Sequence, residues 1–145
     1  MKPTFIPHQT YQNFVLEQLN KHYSNGILLV LKDDLPVIKR FWLADLSVTT
    51  TWLYHTYSDS NKGTKPRDPT SMMRSYLLYL VIQPTTNITD WVSQLRRVPL
   101  YAILSGFEPG DTPGVGTFHD FFNRIWDSDQ ANIKRKIRPK RKKKK

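Results

Sequence analysis

Apolar side chains recur at helical spacing through most of this chain, and no stretch requires a β-strand. In TYQNFVLEQLNKHY, residues 10–23, apolar positions fall three and four residues apart, and Ser24-Asn25-Gly26 supplies a stop signal. The run ILLVL at 27–31 is too short for periodicity to separate a strand from a buried helix. Helices are predicted at 10–23, 35–46, 69–82, 88–97, 98–106 and 117–127, with a weaker candidate at 47–57 because of its threonine run.

Proline and glycine divide this pattern into segments. Asp68 and Pro69 suit the N-cap and the first helical position, and Pro84 ends the helix that they open. Asp33-Asp34 and Thr86-Asn87 are the cap candidates for the helices at 35–46 and 88–97. The apolar face predicted for that helix consists of Met72, Met73, Tyr76, Leu77, Leu80 and Val81. Short, closely linked helices follow it, in the outline of a helix-turn-helix unit.

We therefore expect a mainly α protein: a small helical bundle with a helix-turn-helix-like C-terminal half, followed by a disordered basic tail. The predicted parts are an N-terminal helical region at 1–57, a surface loop at 58–68, a helical DNA-binding region at 69–130 that packs with residues 1–57 as one domain, and a disordered tail or linker at 131–145.

The positive charge of the chain is confined to one end. The formal net charge is +10, from 22 Lys and Arg against 12 Asp and Glu. Residues 134–145 hold ten of the 22 basic residues and no acid, so residues 1–133 carry 12 basic and 12 acidic side chains. A block of like charges repels itself and has little apolar surface to bury, so it is expected to stay disordered without a polyanion partner.

Composition excludes several classes of site. The chain has no cysteine, and its four histidines lie too far apart to form ligand pairs, so neither a disulfide framework nor a structural zinc site is expected. The N-terminus lacks the apolar region of a signal peptide, and the apolar runs are too short to cross a membrane. We expect a cytoplasmic protein with no membrane partner and no small-molecule substrate.

Catalytic chemistry has no clear candidate residues. The aspartates fall at predicted helix starts and in turns, where capping and the helix dipole explain them. No Ser-His-Asp or Cys-His pattern can be argued from spacing, and Gly114-Val115-Gly116 does not continue as a dinucleotide-binding fingerprint. The sequence therefore predicts a protein that is not an enzyme and has no cofactor of its own.

Nucleic-acid binding is better supported, by the amphipathic segment at 117–127. Its apolar stripe would be buried, leaving Asn and Arg side chains that suit adenine and guanine edges on the opposite face. An ordinary surface helix also has a polar face, so spacing alone does not decide the point. The candidates for base contacts are Thr117, His119, Asp120, Asn123 and Arg124, and those for phosphate contacts are Lys62, Lys65, Arg67, Arg96, Arg97, Lys134, Arg135, Lys136, Arg138, Lys140 and Arg141.

Three segments carry a resemblance to a known family: GTKPRDPTSMMRSYLLYL at 63–80, DWVSQLRRVPLYAILSGF at 90–107 and DTPGVGTFHDFFNRIWD at 111–127. Together, and in this order, they resemble the N-terminal domain of insertion-sequence DDE transposases, whose catalytic core is RNase-H-like. The resemblance covers roughly residues 60–130.

The resemblance implies a region that binds the terminal inverted repeats of a mobile element and takes part in assembling the transposase on DNA. The catalytic acids of the family, and the divalent metal such as Mg²⁺ that a full-length relative would use, belong to a downstream domain. A chain that ends at Lys145 has no room for that domain, so we expect a truncated or split transposase, associated with the nucleoid.

Two other interpretations stay open. The chain could be a non-specific DNA- or RNA-binding protein that acts through its Lys/Arg tail. It could also be an assembly module, whose apolar helices at 69–106 pair with another copy or with a separately encoded catalytic half.

Overall fold

A computed structural model describes residues 2–57, 65–84 and 86–136, with only the backbone given for residues 128–136. The described residues form helices and no strand, which confirms the predicted mainly α helical bundle. The helices are α1 (His8–Tyr23), α2 (Leu35–Leu43), α3 (Val48–Leu53), α4 (Pro69–Ile82), α5 (Ile88–Arg97), α6 (Pro99–Ser105) and α7 (Val115–Lys136), with short 3₁₀ turns at Lys32–Asp34 and Tyr54–Thr56.

The N-terminal helices pack on the C-terminal half. The buried Tyr11 of α1 donates a hydrogen bond from its hydroxyl to the Leu104 carbonyl oxygen, 2.6 Å away in α6. Trp42 of α2 donates to the Gln12 carbonyl oxygen at 3.2 Å, and the Gln12 amide donates to the Trp42 carbonyl oxygen at 3.0 Å. These bonds tie α1 to α2 and α6 across a long sequence separation.

Helices α4 and α6 form the centre of the core, and they meet through small residues. A Cβ atom added to Gly106, just after α6, would lie 2.8 Å from Ser71 Oγ. Ser75 accepts a hydrogen bond from the indole nitrogen of the fully buried Trp91 at 3.1 Å. The close approach of α4 to α6 therefore depends on the absence of a side chain at Gly106, while Ser75 joins α4 to α5.

The face of α4 that enters the core differs from the predicted one. Leu80 and Val81, which were predicted to be buried, are 41% and 45% exposed. Because α4 has apolar residues around much of its circumference, periodicity alone could not select the inward face. The buried residues of α4 are Pro69, Thr70, Ser71, Met72, Arg74, Ser75 and Leu78.

Arg74 is an unusual member of this core, with a relative exposure of 1%. Its guanidinium carbon lies 3.6 Å from the centroid of the Tyr11 ring, a cation–π contact. Its three guanidinium nitrogens have no hydrogen-bond partner among the described residues. Burial lowers the pKa of Arg74, an effect opposed by interactions with Tyr11, Asp68 and Asp45.

The predicted start signals have mixed outcomes. Asp68 is the N-cap of α4, where its carboxylate accepts from the backbone N–H of Thr70 at 3.1 Å, and Pro69 opens the helix as predicted. Asn87 caps α5 by accepting from the Asp90 N–H at 2.9 Å. The Asp34 side chain does not cap α2, because it accepts instead from the backbone N–H of Leu31 at 3.0 Å.

The segment ILLVL at 27–31 forms neither of the two elements considered for it. It has bends but no helix or strand, and Ile27, Leu29 and Leu31 are 81%, 69% and 61% exposed. The preceding Gly26 has a positive φ of 80°, which turns the chain away from the end of α1. Local hydrophobicity therefore did not lead to burial here.

Helix α7 is longer than the predicted 117–127, since it runs from Val115 to Lys136. The predicted boundary between domain and tail at residue 130 is thus not an end of helical backbone. No proline or glycine interrupts the sequence from 117 to 136, and basic residues are favourable near a helix C-terminus. Residues 137–145 of the predicted tail lie outside the described residues.

The connection between α6 and α7 differs from the turn of a DNA-binding helix-turn-helix motif. Only Val98 separates α5 from α6, whereas residues 106–114 separate α6 from α7. That connection is longer than the 3–4-residue turn of the DNA-binding motif. Helix α7 buries Phe118 and Phe121 and packs against α3, α4 and α5.

Candidate nucleic-acid interface

A cleft of about 630 Å³ opens between the segment that precedes α4 and one side of α7. It brings together five of the side chains that the sequence singled out for DNA contacts, from two separate stretches of chain. These are Lys65, Arg67, Thr117, Asp120 and Arg124, and the remaining lining residues are Tyr57, Pro66, Met72, Asp111 and Phe121.

The side of α7 that lines the cleft is set by burial of its aromatic stripe. Phe118 is fully buried and Phe121 is 3% exposed, which fixes the rotation of the helix. Thr117, Asp120 and Arg124 then fall at i, i+3 and i+7 along the neighbouring edge. The polar residues of α7 therefore lie on one side of the helix, and one edge of that side lines the cleft opposite the basic segment at 65–67.

Arg124 is held by the fold on the wall of this cleft. Its guanidinium donates a hydrogen bond to the Thr56 carbonyl oxygen at 2.7 Å and lies 3.9 Å from the centroid of the Tyr57 ring. Burial raises the pKa of Tyr57 to about 12, although the positive charge of Arg124 acts in the opposite direction. Arg124 thus has a structural role in joining α7 to the end of the N-terminal half.

Arg67 is also engaged within the molecule. It donates to the backbone carbonyl and to the carboxylate of Asp111 at 3.1 and 3.0 Å, and its guanidinium lies 5.4 Å from the Phe107 ring. This pair connects the segment before α4 to the turn before α7. Lys65 is exposed beside it and carries the cleft's more accessible positive charge.

The other residues predicted to contact DNA lie outside the cleft or outside the described side chains. His119 and Asn123 are exposed on α7, but they do not line the cleft, so the five predicted base-contact residues form an arc of the helix rather than a single pocket. Arg96 and Arg97 are exposed in the last turn of α5, where the helix dipole also favours them. Lys62, Arg138, Lys140 and Arg141 lie outside the described residues, and the side chains of Lys134, Arg135 and Lys136 are not described.

The charges of the cleft are mixed. Lys65, Arg67 and Arg124 face two acids, Asp111 and Asp120. An aspartate would repel phosphate, yet it can accept a hydrogen bond from the exocyclic amine of cytosine. The arrangement can therefore donate hydrogen bonds to phosphate or guanine and accept them from cytosine, which is chemistry suited to reading base edges.

Sequence reasoning missed the residues that hold these side chains in place. Thr56, Tyr57 and Asp111 position Arg124 and Arg67, but each is far from its partner in the sequence. No local pattern marks them, because the contacts exist only after α3, α4 and α7 have packed together.

Within residues 2–57, 65–84 and 86–127, no group of three or more His, Asp or Glu side chains is placed to hold a metal ion. No described helix is both long and apolar enough to pass through a membrane.

Comparison with known proteins adds no identification: no protein-family model, no curated protein and no solved structure matches this chain.

Proposed function

We propose that this chain is the DNA-binding N-terminal region of a DDE transposase, which binds the terminal inverted repeats of an insertion sequence. The observation that carries the proposal is the cleft in which Lys65, Arg67, Thr117, Asp120 and Arg124 converge. The resemblance of residues 60–130 to transposase N-terminal domains supplies the identity of the DNA.

In this proposal, α7 presents its exposed edge to the major groove, which is wide enough to admit an α-helix. Asp120 and Asn123 would contact base edges, because they are exposed and Asn123 has no packing role in the cleft wall. Lys65 would contact phosphate and fix the register of the helix on the duplex. Arg124 would contribute from the side of the cleft, with its position set by Thr56 and Tyr57.

We assign no catalytic step to this chain. Asp120 of α7 lines the cleft, where it could accept a hydrogen bond from a base, and Asp111 in the preceding turn forms an ion pair with Arg67. Transposition chemistry, with its divalent metal, would be carried out by an RNase-H-like domain elsewhere, and DNA binding would place the chain at the nucleoid.

A second candidate function rests on the charge distribution. All of the net charge resides in residues 134–145, so non-specific polyanion binding through the tail would need nothing from the cleft. The two functions predict different dependence on DNA sequence.

A binding assay separates them. Fluorescence anisotropy would compare a duplex from the terminal repeats that flank the gene with a scrambled duplex of equal length and composition, at one salt concentration. Tighter binding to the terminal repeat supports sequence-specific recognition. Equal affinities, both abolished by removal of residues 134–145, would support the polyanion-binding function instead.

A further inference from the structure

Arg67 and Asp111 form an ion pair on the wall of the cleft, where both residues belong to the lining. The two terminal nitrogens of Arg67 each donate to Asp111, one to its carboxylate at 3.0 Å and the other to its backbone carbonyl oxygen at 3.1 Å. The guanidinium also lies 5.4 Å from the centroid of the Phe107 ring. One residue and one ring therefore hold a long, flexible side chain in a defined place.

These contacts leave Arg67 able to bind an anion as well. A guanidinium has five N–H donors in a fixed plane, and the two bonds to Asp111 use two of them. Parallel N–H groups of such a fork can bind two oxygens of one phosphate. The Arg67 side chain is 31% exposed, so a phosphate can reach it from solvent.

The ion pair holds Arg67 in place before any ligand arrives. Because Asp111 is 76% exposed, the pair contributes little to the stability of the fold. Ordering an arginine side chain at an interface costs free energy, and this cost is smaller when the side chain is already held in its bound position. Asp111 thus lowers the cost of a phosphate contact by Arg67, although its own charge repels phosphate.

The position of Arg67 suits a phosphate beside the major groove. Under the proposed function α7 enters that groove, which the sugar-phosphate backbones border on either side. Arg67 lies across the cleft from Thr117, Asp120 and Arg124 of α7. A backbone that runs along this side of α7 would therefore meet Arg67 and Lys65 together.

We infer that Arg67 binds a phosphate of the matching duplex through its remaining N–H groups while it stays paired with Asp111, which makes Asp111 a positioning residue that strengthens recognition. The inference rests on the proposed function. It assigns a favourable role to an acid of the cleft, whereas charge alone predicts that removal of an acid strengthens binding to DNA.

The sign of the effect at Asp111 tests the inference. Fluorescence anisotropy would measure the affinity of the full chain for the terminal repeat and for the scrambled duplex, at salt concentrations from about 50 to 200 mM. The variants are Asp111→Ala, Arg67→Ala, Arg67→Lys and the double alanine variant. Glu108→Ala is the matched control, because Glu108 is an exposed acid three residues earlier. Circular dichroism and urea denaturation would verify that each variant is folded.

Asp111→Ala should bind the terminal repeat roughly two- to tenfold more weakly, the effect of having to order one arginine side chain on binding. It should bind the scrambled duplex at least as tightly as the wild type does, and Glu108→Ala should weaken neither complex. In the Arg67→Ala background, Asp111→Ala should cause no further loss.

The Arg67 variants separate a phosphate contact from a purely structural pair. Arg67→Ala should reduce the slope of log affinity against log salt on the terminal repeat by about 0.9, the value for one phosphate. Arg67→Lys should lose affinity as Asp111→Ala does, because an ammonium group can keep an ion pair with Asp111 but lacks the planar fork.

The inference would be overturned by an Asp111→Ala variant that binds the terminal repeat as tightly as the wild type or more tightly. A loss of equal size on both duplexes, a loss that persists without Arg67, an unchanged salt slope in Arg67→Ala, or an Arg67→Lys variant that binds normally would also overturn it. Failure of the proposed function has a different signature, equal affinity of the wild type for the two duplexes, and would reject the inference with it.

Discussion

Arg124 in α7 donates a hydrogen bond across the domain to the carbonyl oxygen of Thr56, at 2.7 Å. The same guanidinium lies over the Tyr57 ring, so one side chain joins the last helix to the end of the N-terminal half. A residue that the sequence predicts to contact bases therefore also has a structural role, and experiments on the proposed DNA-binding face have to separate these two roles.

Substitutions at two neighbouring residues, Arg124 and Asn123, separate the structural role from the proposed DNA-binding role. Arg124→Ala should lower the free energy of unfolding by about 1.5–3 kcal/mol, because it removes a charge-assisted hydrogen bond and a cation–π contact in a half-buried setting. Asn123→Ala should change it by no more than about 0.5 kcal/mol, since Asn123 is exposed. Urea denaturation of both variants measures the difference. Equal costs would show that the bond to Thr56 does not stabilise the fold.

Arg74 provides a test of the core. A buried guanidinium whose nitrogens lack hydrogen-bond partners among the described residues is costly to desolvate, and an apolar residue of similar size avoids that cost. Arg74→Met should therefore be as stable as the wild type or more stable. Arg74→Ala should lose about 2–5 kcal/mol because it leaves a cavity. A Met variant as unstable as the Ala variant would indicate that the charge itself stabilises the core.

Alanine substitutions at three glycines distinguish the cost of backbone strain from the cost of steric contact. Gly106 has φ of 100° and its added Cβ would meet Ser71 Oγ at 2.8 Å, Gly110 has φ of 89° with nothing near its Cβ, and Gly116 has open space around it. The cost of substitution by alanine should decrease in that order: more than about 2 kcal/mol, then about 1–2 kcal/mol, then no cost at Gly116. Thermal unfolding of the three variants ranks them. A Gly110 variant as unstable as the Gly106 variant would show that the contact with Ser71 adds nothing.

The raised pKa of Tyr57 predicts a loss of stability in alkaline solution. In the unfolded chain this phenol ionises with the ordinary tyrosine pKa of 10.0, whereas burial in the folded protein raises the pKa to about 12. Between these values the unfolded state binds fewer protons, so the free energy of unfolding falls as the pH rises. Burial of Tyr11 raises its pKa as well and adds to the loss.

Urea denaturation at roughly pH 9 and pH 11 measures this dependence. Tyr57→Phe should reduce the loss between the two values, because the substituted ring has no proton to release. A Phe variant with the same pH dependence as the wild type would contradict the assignment to Tyr57.

The sequence predicted those features that depend on local spacing and missed those that depend on packing. Helix α5 begins and ends as predicted, because its cap residue Asn87 and its apolar stripe are local signals. Val98, which was predicted to begin the next helix, instead links α5 to α6. The inward face of α4 was wrong in part, since contact with α6 at Ser71 and Gly106 selected it. The polar arc of α7 could be predicted from its aromatic stripe, but the roles of Thr56 and Asp111 could not.

Under the proposed function, α7 and the adjoining cleft recognise a particular DNA sequence. The most direct measurement is the affinity of the full chain for a duplex of the flanking terminal repeat relative to a scrambled duplex, repeated with Asn123→Ala. We expect the terminal repeat to bind on the order of 10³-fold more tightly, and Asn123→Ala to reduce that ratio by roughly 5- to 150-fold, the effect of losing one good base contact. Equal affinity of the wild type for the two duplexes would contradict the account.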